Sequence, residues 1–268
     1  ITTGLALYNG ATLTLDRNLA LAGGIDLRNS ASLVPGANNY SASSLYLNGN
    51  VNLAYRPGDS ITAANEVSVN GGSTLTLTRN LDNRYLTLTS GGAIARTTET
   101  LRMGRFYANG VGTTLTLKNG DEIYAGDNVV ENGATVTNTG LSAVTGSMRL
   151  IYSNGPTLST FNSNAPVTFS GNLDTFGGGF LNVNANTTFA GGDVAIRGGS
   201  LIRLNSGTLS TPGTLAVHSG SQIERTGGAY AVNGLYLDGA LSLDYKSSDT
   251  ITTGLALYNG ATLTLDRN

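Results

Sequence analysis

Pairs of apolar residues, separated by one residue, recur at intervals of about 20 residues along this chain, a spacing typical of repeat architectures. The pairs are Leu5/Leu7, Ile25/Leu27, Leu45/Leu47, Val67/Val69, Leu86/Leu88, Val194/Ile196, Leu215/Val217, Leu235/Leu237 and Leu255/Leu257. Alternation with a period of two is typical of a strand with one buried face. Strands that return at a constant interval can stack coil upon coil through parallel hydrogen bonds. The sequence therefore predicts an all-β fold, a parallel β-helix (β-solenoid) with about 20 residues per coil.

Asn-Gly dipeptides separate many of the strand patterns. They occur at 9–10, 48–49, 70–71, 109–110, 119–120, 132–133, 154–155, 233–234 and 259–260. Both residues tolerate the left-handed backbone conformation, so we interpret these dipeptides as corners. Asn-Gly also suits β-hairpins, but a hairpin sandwich gives no reason for a constant interval between similar segments. Residues 95–180 keep the interval less well, and there we expect coils with longer corners.

An identical phrase occurs twice in the chain. Residues 1–18 and residues 251–268 both read ITTGLALYNGATLTLDRN, at an offset of 251 − 1 = 250. The identity indicates tandem duplication, with 1–250 as one repeat unit and 251–268 as the start of the next identical unit. The alternative is a copy introduced by cloning. Residues 44–80 also resemble 234–268, with a slip of two residues near Ala64, which indicates an older repeat.

The duplication predicts a window cut from a much longer polypeptide. At about 20 residues per coil and about 4.8 Å between hydrogen-bonded strands, a unit that spans 1–250 holds about 12 coils and extends over about 60 Å. Each unit then covers the open edge of the next one, which protects edges that otherwise aggregate.

Composition excludes several classes of function. Charged residues make up 12% of the chain and the net charge is −2, so no nucleic-acid surface is expected. The chain has no cysteine, which removes disulfides and thiolate chemistry. No apolar run reaches the roughly 18 residues of a membrane span.

Residues that could carry chemistry are few. His218 is the only histidine, and we expect it at a corner or on the surface. Asp121, Glu122 and Asp127 form the densest acidic cluster, and such acids at corners are usually solvated. Asp59 and Asp249, which occupy matching places in the older repeat, belong to the same class of corner acid. We therefore predict no catalytic residues, no cofactor and no metal site, with a polysaccharide-cleaving enzyme built on paired carboxylates as the least favoured alternative.

Two tyrosines stand out because leucines flank them. In Leu45-Tyr46-Leu47 and Leu235-Tyr236-Leu237 the leucines point inward, so Tyr46 and Tyr236 should point outward. Outward aromatic rings can stack on sugars or on a neighbouring fibre, and the alternative is packing over a local corner.

The repeated phrase has the form L-x-L-x-x-G-A-x-L-x-L, as in Leu5–Leu15, with a looser copy at Val67–Leu77. It resembles the strand repeats of autotransporter passenger domains and filamentous adhesins of Gram-negative bacteria. The resemblance implies a right-handed parallel β-helix that is exported and displayed outside the cell or at its surface.

We therefore expect a structural extracellular segment of a fibre, sheath or stalk, whose main partner is itself through end-to-end continuation and lateral packing. The first alternative is a surface adhesin that binds glycans or host surfaces.

Overall fold

The computed structural model describes residues 3–62, 65–151 and 157–266. The chain divides into two compact units, residues 1–115 with 120–124 and residues 116–119 with 125–268. The fold is an all-β solenoid in which parallel strands stack at intervals of about 20 residues, which confirms the predicted fold class. The parallel register excludes the hairpin sandwich, because hairpins pair antiparallel strands.

The strands are short. Those of the first unit are β1 (Leu5–Leu7), β2 (Thr12–Thr14), β3 (Leu19–Ala20), β4 (Ile25–Arg28), β5 (Ser32–Val34), β6 (Tyr40–Ala42), β7 (Leu45–Asn48), β8 (Asn52–Tyr55), β9 (Ser60–Ile61), β10 (Glu66–Asn70), β11 (Thr74–Leu77), β12 (Leu81–Thr89), β13 (Ala93–Ala95), β14 (Leu101–Asn109), β15 (Thr114–Leu117, which runs across the division) and β16 (Glu122–Ile123).

The strands of the second unit follow in the same way. They are β17 (Asn128–Glu131), β18 (Thr135–Asn138), β19 (Ala143–Val144), β20 (Met148–Ile151), β21 (Ser159–Ser163), β22 (Val167–Phe169), β23 (Leu173–Phe176), β24 (Gly179–Val183), β25 (Thr187–Phe189), β26 (Val194–Ile196), β27 (Leu201–Leu204), β28 (Thr208–Val217), β29 (Gln222–Arg225), β30 (Ala229–Asp238), β31 (Ser242–Tyr245), β32 (Thr250–Tyr258) and β33 (Thr262–Leu265).

In the first unit, the predicted apolar pairs stack directly on one another. The inward column runs Leu5, Ile25, Leu45, Val67, Leu86 and Phe106 through β1, β4, β7, β10, β12 and β14. A second sheet, β8–β11–β13, closes the other side of the core with Leu53 and Leu75. Apolar side chains from both sheets are thus removed from water, and the backbone groups pair along the ladders.

In the second unit, the same arrangement continues from β17 to β32. Its inward column runs Val130, Leu150, Thr175, Ile196, Val217, Leu237 and Leu257. The step from Leu150 to Thr175 is longer than the step from Val130 to Leu150, which agrees with the longer corners expected between 95 and 180. Three phenylalanines fill this part of the core, with Phe169 stacked on Phe189 at 4.8 Å and edge-on to Phe161 at 5.6 Å.

Most of the described Asn-Gly dipeptides contribute to corners as predicted. Asn9, Asn132 and Asn259 have φ angles of 55°, 51° and 52°, in the left-handed region, and a glycine follows each one. The prediction was wrong at Asn233-Gly234, which lies inside β30 where the register shifts. A glycine within a strand accommodates such an irregularity. The dipeptide at 154–155 and the slip near Ala64 lie outside the described residues.

The part of the chain that the structure describes contains no helix long and apolar enough to cross a membrane.

Candidate functional site: the end coil and the outward face

The copy of the repeated phrase at residues 251–266, here called the end coil, is covered on one side only. Its Leu255 and Leu257 lie opposite Leu235 and Leu237 of the preceding coil. The two leucines of the preceding coil are buried, whereas Leu255 remains 51% exposed and Leu257 41% exposed. Leu255 and Leu257 thus extend, in the last coil that the structure describes, the apolar column of Leu235 and Leu237.

The copy at residues 3–18, here called the first coil, is covered on the opposite side. Leu5 lies opposite Ile25 and Leu7 opposite Leu27 of the following coil, and both partners are fully buried. Backbone bonds join the same two coils at the corner, where the N–H of Asn9 donates to the C=O of Arg28 at 3.2 Å. The two copies of the phrase thus show how one coil contacts both of its neighbours: the end coil shows the contact with the preceding coil, and the first coil shows the contact with the following coil.

The acidic residues singled out in the sequence divide into two groups. Asp59, Asp121 and Asp249 are buried, which corrects the expectation that corner acids are solvated. Each carboxylate accepts a backbone N–H from the preceding coil, that of Tyr40 for Asp59 and that of Tyr230 for Asp249. Since buried carboxylates need hydrogen bonds and a countercharge, these aspartates hold a corner to the coil before it.

The ion pair of Asp121 is deeply buried in the first unit. Arg96 donates from Nη1 to Oδ1 at 2.5 Å and from Nη2 to Oδ2 at 2.6 Å, and the N–H of Leu101 donates to Oδ1 at 2.8 Å. The side chains of Arg96 and Asp121 are 3% and 0% exposed. A carboxylate held in this way is poorly placed to exchange a proton with a substrate.

Asp249 has an equivalent partner in the second unit. Arg225 donates from Nη1 to Oδ2 at 2.5 Å and from Nη2 to Oδ1 at 2.9 Å, and the N–H of Lys246 donates to Oδ2 at 2.7 Å. The backbone N–H of Arg56 makes the same turn bond to Asp59, at 2.9 Å. The matching places of Asp59 and Asp249 in the older repeat therefore correspond to matching structural roles.

The remaining acids of the cluster, exposed Glu122 and half-buried Asp127, are both paired. Glu122 accepts from Arg102 at 2.8 Å, and Asp127 of the second unit accepts from Arg149 at 3.1 Å. Among the described residues, no group of three or more His, Asp or Glu side chains is arranged to hold a metal ion.

A cavity of about 330 Å³ lies in the second unit, between the coils that contain β28 and β30. Its described lining includes Val217, Ile223 and Leu243 and contains no Asp, Glu, His, Lys or Arg. It therefore presents no titratable side chain for acid–base chemistry.

Aromatic rings lie on the outward face of the last coils. The ring of Tyr236 is 5.5 Å from that of His218 and 5.3 Å from that of Tyr258, so the three rings form a ladder across successive coils. Loss of solvation, followed by the nearby charge of Asp238, raises the pKa of the Tyr236 hydroxyl. Tyr46 lies in the first unit, 36% exposed, between Asp26 and Ser68 in the register.

The aromatic ladder was not predicted as a group. The signal in the sequence is the spacing. His218 and Tyr258 lie one coil before and one coil after Asp238, and Tyr236 is two residues from Asp238 on the same strand, so its ring can reach both.

Comparison of the chain with protein-family models, with curated proteins and with solved structures finds no match.

Proposed function

We propose that this chain is a structural segment of an extracellular or cell-surface fibre, such as a filament, sheath or stalk, built from tandem solenoid units of which 1–250 is one. The observation that carries the proposal is the repeated phrase. The first coil and the end coil have the same sequence; the first pairs with the coil that follows it, and the end coil pairs with the coil that precedes it. The coil that follows the end coil in a tandem chain can therefore pair with it as β4 and β5 pair with the first coil.

The interior of the coils supports a mechanical role. Parallel ladders satisfy the backbone along the stack, and buried Leu, Val and Ile side chains contribute about 25 cal/mol per Å² of apolar surface removed from water. The buried aspartates add bonds between successive coils at the corners. A force applied along the stack is therefore resisted by many hydrogen bonds between coils at the same time.

Display outside the cell rests on the resemblance of the phrase Leu5–Leu15 to autotransporter passenger domains and filamentous adhesins. Protease treatment of intact cells tests this part of the proposal. Cleavage without lysis supports surface display, whereas protection until lysis contradicts it.

Cryo-electron microscopy of the native material tests the fibre itself. We expect filaments with a spacing of about 4.8 Å between strands. We also expect a longer repeat of about 60 Å, from the roughly 12 coils of one tandem unit. Single short rods that lack the longer repeat would contradict the fibre proposal.

A second candidate function, binding of glycans or host surfaces, is favoured by the ladder of His218, Tyr236 and Tyr258. Partly exposed aromatic rings about 5 Å apart offer flat surfaces for sugar rings. Glycan-array binding that is lost on Tyr236→Ala and Tyr46→Ala supports it. Val111→Ala, at a strongly exposed apolar residue of the first unit, is the control. Absence of binding by the unmodified chain at high concentration removes this candidate.

We propose no enzymatic activity. The pairing of Asp121 with Arg96, and of Glu122 and Asp127 with their own arginines, supports this part of the proposal. Cleavage of a polysaccharide by the purified chain, lost in Glu122→Gln or Asp127→Asn variants that remain folded, would overturn it.

A further inference from the structure

The second sheet of the solenoid is interrupted inside the second unit. In the described structure β29 pairs with β27 of the coil before it and β31 pairs with β33 of the coil after it, but β29 and β31 do not pair with each other. In the first sheet the same two coils stay joined through β28 and β30. The two coils therefore separate on one side of the core only, and each is covered by a further coil on its other side.

The interruption is closed at both ends. At one end the coils approach closely, because a Cβ added to Gly239 would lie 2.8 Å from Cβ of Ser219. At the other end Nη1 of Arg225 donates to the C=O of Asp244 at 3.1 Å, and the hydroxyl of Tyr230 donates to the same oxygen at 3.2 Å. The gap is thus a bounded feature of the interior of the stack.

The space between residues 220–223 and residues 240–243, here called the slot, contains the cavity of about 330 Å³ described above. Ile223 lies opposite Ile202 in the parallel register. Ile202 is fully buried, whereas Ile223 is only half-buried. The slot therefore leaves an inward-facing aliphatic side chain accessible.

Backbone groups of both strands face the slot. The N–H of Gln222 donates to the coil before it at 3.0 Å, so the N–H and C=O of the next residue, Ile223, point towards β31. The C=O of Leu241 accepts an N–H from the coil after it at 2.8 Å, so the N–H of Ser242 points towards β29. Two strand edges thus face each other without forming a ladder.

The same interruption occurs in the first unit. There β5 pairs with β2 and β8 pairs with β11, but β5 and β8 do not pair. The hydroxyl of Tyr40 donates to the C=O of Ala54 at 2.9 Å, as that of Tyr230 does to Asp244. Both pairs of residues are related by the offset of the older repeat, 230 − 40 = 190 and 244 − 54 = 190. The interruption therefore belongs to the repeated sequence and is not an accident of one coil.

We propose that the slot binds an extended peptide segment of a partner protein, which pairs with β29 on one side and with β31 on the other. The complement of an unpaired strand edge is another strand, and main-chain hydrogen bonds supply the affinity in such complexes. Each of the two strands has four residues, or about 13 Å at 3.3 Å per residue, so the segment that pairs is about three to four residues long.

The lining of the slot sets the chemistry of the peptide. The described residues that line the cavity include Val217, Leu237 and Leu243 and contain no Asp, Glu, His, Lys or Arg. A charged side chain would lose its hydration there without gaining a partner. The segment is therefore uncharged, with an aliphatic side chain at every second position directed at the core. The slot lies within one unit, so its occupancy goes beyond the fibre and does not depend on it.

A blocked tetrapeptide tests the proposal. The probe is acetyl-Val-Thr-Val-Thr-amide with a fluorescent label, since it is uncharged and rich in strand-forming residues. Fluorescence anisotropy with the whole chain should show saturable binding. An analogue that is N-methylated at both valines lacks the donors on one edge, and should bind about tenfold more weakly or worse. Absence of binding by the probe, or equal binding by the analogue, would overturn the proposal.

A variant that fills the slot locates the binding. Ala240 is exposed and lines the cavity, so Ala240→Trp should abolish saturable binding while the chain remains folded by circular dichroism. Ala190→Trp, at an exposed corner of another coil of the same unit, is the matched control and should bind as the unmodified chain does. Undiminished binding by Ala240→Trp would show that the peptide binds elsewhere, and would overturn the assignment of the slot.

Hydrogen exchange of the unmodified chain supplies a readout that needs no variant. The backbone N–H groups of Ile223 and Ser242 should exchange more slowly when the tetrapeptide is bound, because they become donors to it. Unchanged exchange at both residues under saturating peptide would contradict pairing with β29 and β31. Displacement of the labelled peptide by lactose would assign the cavity to a neutral sugar and overturn the peptide proposal.

Discussion

Replacing Asp121 with alanine should lower the free energy of unfolding by about 3–5 kcal/mol, the usual cost of breaking a buried ion pair by removing one partner. The magnitude follows from the contacts. The N–H of Leu101 loses its acceptor, which costs about 1–3 kcal/mol when the group stays buried. Arg96, with its side chain 3% exposed, loses two charged hydrogen bonds in a place where water reaches it poorly.

Urea unfolding followed by circular dichroism measures the total change for Asp121→Ala. Native-state hydrogen exchange locates the change, because a stack of coils can open in parts rather than all at once. We expect faster exchange at Leu101 and its neighbours on β14, with little change in the second unit.

Two controls decide whether the reasoning holds. Asp16→Ala removes an acid of similar type from a fully solvated pair with Arg17, and should leave unfolding unchanged within error. The double variant Arg96→Met with Asp121→Leu should recover most of the loss, since apolar residues of similar volume often replace a buried pair at little cost. A loss below about 1 kcal/mol for Asp121→Ala would refute the argument that this pair fastens the corner.

Four further outcomes are expected. Ser221→Ala should leave the free energy of unfolding unchanged or raise it, because Oγ of Ser221 is buried with no hydrogen-bond partner in the described structure. Ser200→Ala should lower it by about 1–3 kcal/mol in the same urea assay, because its Oγ bonds one backbone N–H and one C=O. Burial raises the pKa of Tyr40 above its ordinary value near 10, so the stability that its protonated hydroxyl contributes is complete below pH 10 and is lost as the pH rises further. In thermal melts above pH 10, the melting temperature of Tyr40→Phe should therefore fall less steeply with pH than that of the unmodified chain. Gly92→Ala should destabilise the first unit because its new Cβ would collide with the backbone oxygen of Val69, whereas Gly254→Ala meets nothing within 4 Å and serves as the control in thermal melts.

The solenoid could be predicted because its signal is local and repeated. Leu5, Ile25 and Leu45 each lie in a two-residue alternation, and the constant interval between them leaves one simple way to bury all three. Asn-Gly corners agree with the same interval. Many weak indications that point to one arrangement make a reliable prediction.

The buried aspartates could not be predicted with equal ease. Asp121 lies in a polar corner, and its partner Arg96 comes from the coil before it, in a stretch where the interval is less regular. Whether these side chains meet depends on how two irregular corners lie over each other. Alternation within strands carries no information on that point, so a residue expected on the surface is buried.

The prediction of a corner at Asn233-Gly234 was wrong for a related reason. The dipeptide favours a corner, but β30 continues through it and a shift in register accommodates it. Tertiary pairing of the long strand β30 with β28 and β32 outweighs the local preference of two residues.

The shared register of the first coil and the end coil has a consequence for the gene. Recombination between the two gene segments that encode the same 18 residues would add or remove whole repeat units and keep the reading frame. After such an event every coil still has neighbours that it already contacts in this structure. A lineage can therefore lengthen or shorten the protein in a single step, and no new interface has to evolve.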